Sequence, residues 1–136
     1  MEYISKSEND TFEIAKKFAF NLVAGDIVLL QGDLGAGKTV FVKGIVKTLG
    51  GNKDLVTSPT FTIVNDYQTK NGTIYHFDLY RIKSEEELYN IGIEEYLYSD
   101  AISFVEWPER APDLFGKTCK KIIITKVDEN TRKIEF

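Results

Sequence analysis

The run of residues 32–39, Gly-Asp-Leu-Gly-Ala-Gly-Lys-Thr, constrains the fold most, because it fits the pattern G-x-x-x-x-G-K-[ST]. An apolar stretch, residues 27–30, precedes it directly and is typical of a buried parallel strand. Residues 40–49 follow with a helical composition, and Gly50 and Gly51 predict the end of that helix. Strand, glycine-rich turn and helix in this order predict an α/β fold around a parallel sheet.

The residue types in this turn indicate phosphate binding. Gly35 and Gly37 allow the backbone N–H groups to converge on one point, which the positive end of the following helix also faces. The Lys38 ammonium can lie beside the outer phosphates, and the Thr39 hydroxyl can bind Mg²⁺. With about 7% Gly, fewer than about 1% of random chains of this length would contain the pattern. We therefore predict a site for a nucleoside triphosphate with Mg²⁺.

Composition and net charge limit the classes of partner that this protein is expected to bind. The 136 residues are expected to form one domain, with a net charge of −4 and no basic tail. Lys117, Lys120 and Lys121 form the densest basic group and are expected to be a solvated strand entry. A protein that grips a nucleic-acid backbone alone usually carries a basic stripe. We therefore expect no direct DNA contact, and any role with nucleic acid to run through another protein.

The sequence shows no membrane-spanning or targeting segment and too few cysteines for an internal disulfide. It contains no run of membrane-spanning length and no signal-peptide core, so we expect a cytoplasmic protein with no membrane partner. The single cysteine, Cys119, is expected to be a partly buried structural thiol.

Periodicity and turn signals predict the remaining elements. Ser7 has capping-box spacing to Asp10 and opens a predicted amphipathic helix that ends near Ala24-Gly25. Asn71-Gly72 lies between two β-rich runs, which predicts a hairpin. The further predicted elements are strands at 61–68, 73–80, 102–105, 121–127 and 132–136, and a short helix that begins with a second capping box at Ser84-Glu85-Glu86-Glu87 and has Leu88 and Ile91 inward. Together they predict a P-loop-like, three-layer α/β fold: a mixed, mainly parallel sheet with an added antiparallel hairpin and helices on both faces.

Two carboxylates qualify as partners of a bound triphosphate. Glu106 and Asp78 each follow an apolar run, and ligands of open α/β sheets gather at the carboxyl ends of strands. Each can instead be a solvated strand-end acid, and Asp78 can pair with Arg81. His76 alternates with Asp78 on one strand face, and a catalytic or a hydrogen-bonded structural role is open to it.

Two further features lie near these acids in the chain. Ser58-Pro59-Thr60 is a stiffened turn with two hydroxyls, which is typical either of a nucleotide-sensing loop or of a plain surface turn. Trp107, before Pro108, can be a core ring or a lid, and we favour local packing with some influence on the nucleotide.

Four motifs together resemble one family. Residues 32–39, Ser58-Pro59-Thr60-Phe61, His76-Phe77-Asp78-Leu79-Tyr80-Arg81 and Val105-Glu106-Trp107-Pro108-Glu109 occur in the order found in the bacterial TsaE (YjeE) ATPases. The resemblance spans nearly the whole chain. It implies an ATPase with the cofactors ATP and Mg²⁺, which assists threonylcarbamoyl modification of adenosine 37 in tRNAs that read ANN codons. It also implies that the TsaD–TsaB complex is the partner and carries out the transfer, with tRNA touched only indirectly.

The resemblance also implies roles for individual residues. Lys38, Asp78 and Thr60 would be the catalytic group, with Asp78 positioning or activating the attacking water, and Thr39 and Glu106 would bind Mg²⁺. The implied nucleotide-binding residues are Gly32, Asp33, Leu34, Gly35, Ala36, Gly37, Lys38, Thr39, Val40, Thr11, Trp107 and Arg132.

Three other functions were compared with this one. A GTPase would need Asn-Lys-x-Asp, but the similar string at 52–55 has its aspartate one place early and lies too close to the P-loop. A small-molecule kinase usually needs an arginine-bearing lid, and the three arginines here are scattered along the sequence. A nucleotide-dependent binding module with little turnover of its own is compatible with the lack of an evident arginine finger. That hypothesis makes the same prediction as an ATPase whose hydrolysis is slow without its partner.

Overall fold

A central sheet organises the chain in the computed structural model, which describes residues 1–33, 35–59 and 62–136. The strands are β1 (Glu2–Ser5), β2 (Ile27–Gln31), β3 (Val64–Thr69), β4 (Gly72–Asp78), β5 (Ile102–Glu106), β6 (Lys120–Lys126) and β7 (Arg132–Glu135). The helices are α1 (Glu8–Ala19), α2 (Lys38–Thr48), α3 (Glu86–Asn90) and α4 (Ile93–Leu97).

The strand order in the described residues is β1-β7-β6-β2-β5-β4-β3. The central strands β6, β2, β5 and β4 are parallel, whereas β3 at one edge and β7 near the other run antiparallel to their neighbours. The predicted mixed sheet with a mainly parallel centre is therefore confirmed. The antiparallel pairing occurs at both edges, not only in the hairpin around Asn71.

Helices cover both faces of the sheet, as predicted. The first buried cluster joins α1 and α2 to one face through Phe18, Phe41, Val28 and Phe104. The second cluster joins α3 and α4 to the other face, and Cys119 packs half-buried at its margin. Burial raises the pKa of the Cys119 thiol, which agrees with a structural rather than a reactive cysteine.

Helix α1 begins as predicted and ends early. Ser7 is its N-cap, and its side chain accepts a hydrogen bond of 3.0 Å from the Asp10 N–H. The helix ends at Ala19, and the next residues turn with Phe20 and Val23 exposed. The predicted end near Ala24-Gly25 was therefore wrong. The apolar spacing continues past the point where the backbone leaves the helix.

Three other expectations need correction. Strand β1 and helix α4 were not predicted, because both are short and neither contains an apolar run. Ile91 is 38% exposed rather than inward, and Ile93 and Leu97 of α4 cover the sheet beside Leu88 instead. Ser84 does not cap the following helix with its side chain, since the N-cap is Glu85 and no side-chain cap bond forms there.

Candidate nucleotide-binding site

The P-loop connects the carboxyl end of β2 to the amino end of α2. Gly37 is the N-cap of α2 with φ of 105°, a conformation that a residue with a side chain adopts only with strain. The helix therefore starts at Lys38, and the N–H groups of its first turn point out of the carboxyl edge of the sheet. Leu34, one of the predicted nucleotide-binding residues, lies outside the described residues.

The first glycine of the loop is required by close packing. A Cβ built on Gly32 would lie 2.6 Å from the Ile124 carbonyl oxygen and 3.3 Å from the Ala36 Cβ. The loop backbone therefore runs against β6, and the fully buried Ala36 fills the space beneath it. This contact holds the start of the loop at one position relative to the sheet.

Arg132 braces the other side of the same loop. Its Nε donates to the Ala36 carbonyl at 3.0 Å, and a terminal nitrogen donates to the Gly35 carbonyl at 3.3 Å. The guanidinium also donates to backbone carbonyls of the β6–β7 turn, including that of Asp128 at 2.8 Å. In this structure Arg132 therefore binds the loop backbone, in addition to lining the open pocket beside it.

The Lys38 side chain is 5% exposed and has three contacts. Its Nζ donates to the Gly32 carbonyl at 2.7 Å and lies 3.5 Å from Glu106 Oε1. It also lies 4.4 Å from the centre of the Trp107 ring, within cation–π range. The cation is thus held at the opening of the loop by contacts that it could exchange for contacts with phosphate oxygens.

The two candidate carboxylates end adjacent strands. Asp78 is the last residue of β4 and Glu106 the last of β5, and they are register partners. Glu106 is also the partner of Leu30, one residue before the end of β2. Both acids are buried, at 5% and 4% exposure, so neither is a solvated strand-end acid. Asp78 Oδ1 accepts a hydrogen bond from the Tyr80 N–H at 2.9 Å.

His76 contacts Glu106 directly. Its Nε2 lies 2.5 Å from Glu106 Oε2, and the ring is completely buried. The period of two along β4 places His76 on the same face as Asp78, and this was the signal available from the sequence. The sequence did not indicate that the partner would be Glu106, thirty positions further on.

Trp107 follows Glu106 with φ of 58°, one of two non-glycine residues with positive φ in the described chain. Its ring lies 4.9 Å from that of Tyr80, centre to centre, lies near the Lys38 ammonium and packs against the second buried cluster. This position agrees with the expected packing role and adds a direct contact with the P-loop lysine.

Four of the predicted nucleotide-binding residues line an open pocket of ≈ 170 Å³ beside the loop. Its lining includes Thr11, Gly37, Val40 and Arg132. The Thr11 hydroxyl lies 2.7 Å from Ser5 Oγ, which also lies 2.8 Å from the Ser7 carbonyl. These residues come from β1, α1, the P-loop and β7, so the fold brings together positions that are distant in the sequence.

The segment around Ser58-Pro59 is tied to Asp78 through Ile63. The Ile63 N–H donates to the Pro59 carbonyl at 2.9 Å, and the Ile63 carbonyl accepts from the Asp78 N–H at 2.8 Å. Ile63 has φ of 66°, which is strained for a β-branched residue. This residue could not be predicted from the sequence, because no pattern marks a left-handed isoleucine. Thr60 and Phe61 lie outside the described residues.

Oxygen donors near the loop fit Mg²⁺. In proteins this ion is usually held by one or two oxygen side chains together with substrate phosphates and water. Thr39, in the first turn of α2, and the buried Glu106 carboxylate supply this kind of donor set. Within the described ranges, no group of three or more His, Cys, Asp or Glu side chains is arranged to hold a metal by itself.

Comparison with known proteins identifies the family. A sequence profile described as "Threonylcarbamoyl adenosine biosynthesis protein TsaE" matches residues 5–134. The chain belongs to the TsaE family.

Curated relatives are similar over nearly the whole length. The TsaE protein of Aquifex aeolicus is 42% identical, covering 99% of this chain and 94% of its own. That of Rickettsia felis is 44% identical, covering 95% and 75%. The crystal structure of Bacillus subtilis YdiB has a TM-score of 0.76 and 31% identity, covering 98% of this chain and 82% of its own. The TsaE-family fold is therefore shown by sequence and by structure.

Two other observations bear on this TsaE-family chain. Asn52, in the string that partly resembles a guanine-reading motif, caps a short 3₁₀ turn by accepting from the Asp54 N–H at 3.0 Å. That string therefore has a structural explanation.

Across residues 1–33, 35–59 and 62–136, none of the helices combines the length and the apolar character needed to span a membrane.

Proposed function

We propose that this protein binds and hydrolyses Mg-ATP to support the formation of threonylcarbamoyladenosine (t6A) at adenosine 37 of tRNAs that read ANN codons. The names of the relatives, which place them in threonylcarbamoyladenosine biosynthesis, support the pathway. In this proposal the protein acts with TsaD and TsaB, which carry out the transfer. The net charge of −4 favours tRNA contact through those partners rather than directly.

One observation carries the ATPase part of the proposal. Lys38, Glu106 and Asp78 meet at the carboxyl ends of β2, β5 and β4, beside the N-terminus of α2. A triphosphate in the P-loop would therefore have a cation, a buried carboxylate for the metal and a second acid within one site. P-loop hydrolases use such groups for phosphate binding, Mg²⁺ binding and orientation of water.

The chain's own residues suggest how hydrolysis would proceed. The N–H groups at the start of α2 bind phosphate oxygens, and Lys38 leaves Glu106 and the Gly32 carbonyl for the outer phosphates. Thr39 and Glu106 would hold Mg²⁺, which supplies neutralisation of charge on the phosphate oxygens. Asp78 orients a water or accepts its proton as the water oxygen bonds to the γ-phosphorus. The bond from that phosphorus to the bridging oxygen breaks, and ADP leaves with the electron pair of this bond on its terminal phosphate oxygen.

The contacts of two of the three arginines support slow hydrolysis by the isolated chain. Arg132 donates to loop carbonyls, and the Arg110 guanidinium lies 5.4 Å from the centre of the exposed Tyr80 ring. A cation on the transferred phosphoryl group typically accelerates hydrolysis by about 10³–10⁵-fold. We therefore expect hydrolysis to rise when TsaD–TsaB docks and completes or rearranges the site.

The test measures Mg-ATP hydrolysis by the purified chain alone and with TsaD–TsaB. GTP and an Asp78→Ala variant are the controls. We expect weak activity alone, a clear rise with the partner and loss in the variant. Brisk turnover alone, preference for GTP or no response to TsaD–TsaB would contradict the proposal and favour a kinase or a nucleotide switch.

A further inference from the structure

Glu106 has different neighbours at its two carboxylate oxygens. Oε2 lies 2.5 Å from His76 Nε2, whereas Oε1 lies 3.5 Å from the Lys38 Nζ. All three side chains are at least nine-tenths buried. Water therefore competes little for these contacts, and each oxygen's environment is set by one named residue.

The hydrogen on the His76 ring can be assigned from its partners. A carboxylate oxygen only accepts, so Nε2 must carry the hydrogen that lies between it and Oε2. The other nitrogen, Nδ1, is buried and has no hydrogen-bond partner among the described residues. A buried donor without a partner is costly, so the ring is best satisfied with its hydrogen on Nε2 alone. Within the part of the chain that the structure describes, His76 then makes one polar contact, which is with Glu106.

This contact restricts how Glu106 can turn. β4 and β5 are joined in register, with His76 opposite Phe104, so the imidazole is fixed relative to the β5 backbone. Rotation of the carboxylate away from its present angle would break the bond to Nε2. Oε1 is therefore kept facing the Lys38 side, where the P-loop opens.

We propose that His76 is a positioning residue for Glu106: it holds Oε2 so that Oε1 is the oxygen presented to Mg²⁺ of the bound nucleotide. The inference rests on the proposed function, because it assigns a role toward the metal of Mg-ATP. Groups that hydrogen-bond to a metal ligand commonly change metal affinity by about 10–100-fold when removed. His76 touches neither nucleotide nor metal in this scheme and acts only through Glu106.

The main test measures binding of a fluorescent ADP analogue, N-methylanthraniloyl-ADP, in a Mg²⁺ titration and again in EDTA. His76→Leu removes the donor and keeps the position apolar and filled. We expect the Mg²⁺ concentration for half-maximal binding to rise by about 10-fold or more. Binding in EDTA should change by less than about 2-fold. His76→Gln, whose amide can donate from a similar position, should recover part of the Mg²⁺ response.

A matched control separates positioning from packing. Phe104→Leu perturbs the register partner of His76 in the same buried layer without altering a polar contact. It should affect binding in Mg²⁺ and in EDTA equally. Equal losses in both conditions for His76→Leu, or no recovery by His76→Gln, would overturn the inference.

A second measurement needs no variant. His76 is the only histidine, so the ¹⁵N-labelled imidazole of the full chain gives one set of NMR signals. We expect the hydrogen on Nε2 and none on Nδ1, and the reverse tautomer would overturn the inference. If the unmodified protein bound the ADP analogue without any Mg²⁺ dependence, the proposed function would fail together with this inference. Mg²⁺-dependent binding that His76→Leu left unchanged would remove only the role of His76.

Discussion

Asp78 and Glu106 are opposite each other in register, each at the last position of its strand, yet their polar neighbours differ. Glu106 lies between His76 and the Lys38 cation. Asp78 instead accepts from the backbone N–H of Tyr80. Two carboxylates at the carboxyl ends of adjacent strands are thereby placed in separate environments, which favours separate chemical roles.

Asp78→Asn should separate hydrolysis from binding. The amide retains an acceptor for the Tyr80 N–H but cannot take a proton from water. We expect ATP hydrolysis with TsaD–TsaB to fall by about 10²-fold or more, and Mg-ADP affinity to change by less than about 3-fold. Single-turnover hydrolysis and equilibrium binding measure the two effects. A parallel loss of affinity would show that Asp78 binds nucleotide or metal instead.

Glu106→Ala should weaken nucleotide binding more in Mg²⁺ than in EDTA. The substitution removes the carboxylate proposed as a metal ligand, whereas the loop N–H groups and Lys38 remain. We expect a loss of about 10-fold or more in Mg²⁺. Calorimetric titration with ADP in both conditions checks this, with the surface variant Glu109→Ala as the control. Equal losses in the two conditions would exclude Glu106 as a metal ligand.

Lys38→Met should weaken triphosphate binding and abolish hydrolysis. It should also destabilise the protein without nucleotide, because the buried Glu106 carboxylate would lose its neighbouring cation. Breaking a buried pair in this way commonly costs about 3–5 kcal/mol. Urea unfolding of Lys38→Met, Glu106→Gln and the double variant measures the coupling. If the two single losses simply added in the double variant, the pair would not be coupled.

Trp107 fluorescence should report the movement of Lys38. It is the only tryptophan, and the Lys38 Nζ lies 4.4 Å from its ring centre. Transfer of the cation to phosphate oxygens changes the field at the indole, so Mg-ADP should shift or change its emission. Lys38→Met should reduce the response even at nucleotide concentrations that saturate binding. Unaltered emission on binding of Mg-ADP by the unmodified protein would mean that the cation keeps its place over the ring.

Arg132→Ala should loosen the P-loop. It removes the two hydrogen bonds to the Ala36 and Gly35 carbonyls, each worth about 1 kcal/mol, so Mg-ADP affinity should fall by up to about 30-fold. Hydrogen exchange of the loop amides should rise in the protein alone. Lys133→Ala, on the same strand and paired at 3.9 Å with Glu135, is the matched control. If the hydrogen exchange of the loop amides did not change, Arg132 would not brace the loop, and any loss of affinity would come from a direct contact with the nucleotide.

Much of the site could be predicted because its residues carry local signals. The loop at 32–39 has its own pattern, and Asp78 and Glu106 each end an apolar run, so their place at strand ends followed from the sequence. The Ser7 cap and the hairpin at Asn71 were equally local. Strand β1 (Glu-Tyr-Ile-Ser) and helix α4 (Ile-Glu-Glu-Tyr-Leu) were missed because both are short and neither contains an apolar run like those that mark β2 and β5.

Local patterns in the sequence were enough to predict the P-loop, the strand-end acids and the class of fold, since these depend on residues that are near neighbours in the chain. The contact partners of these residues follow only from the folded chain: Arg132 bonds to Ala36 across 96 positions, and His76 to Glu106 across 30. Such contacts depend on strand order and register. These are set by the packing of the whole sheet against its helices and not by any local residue pattern.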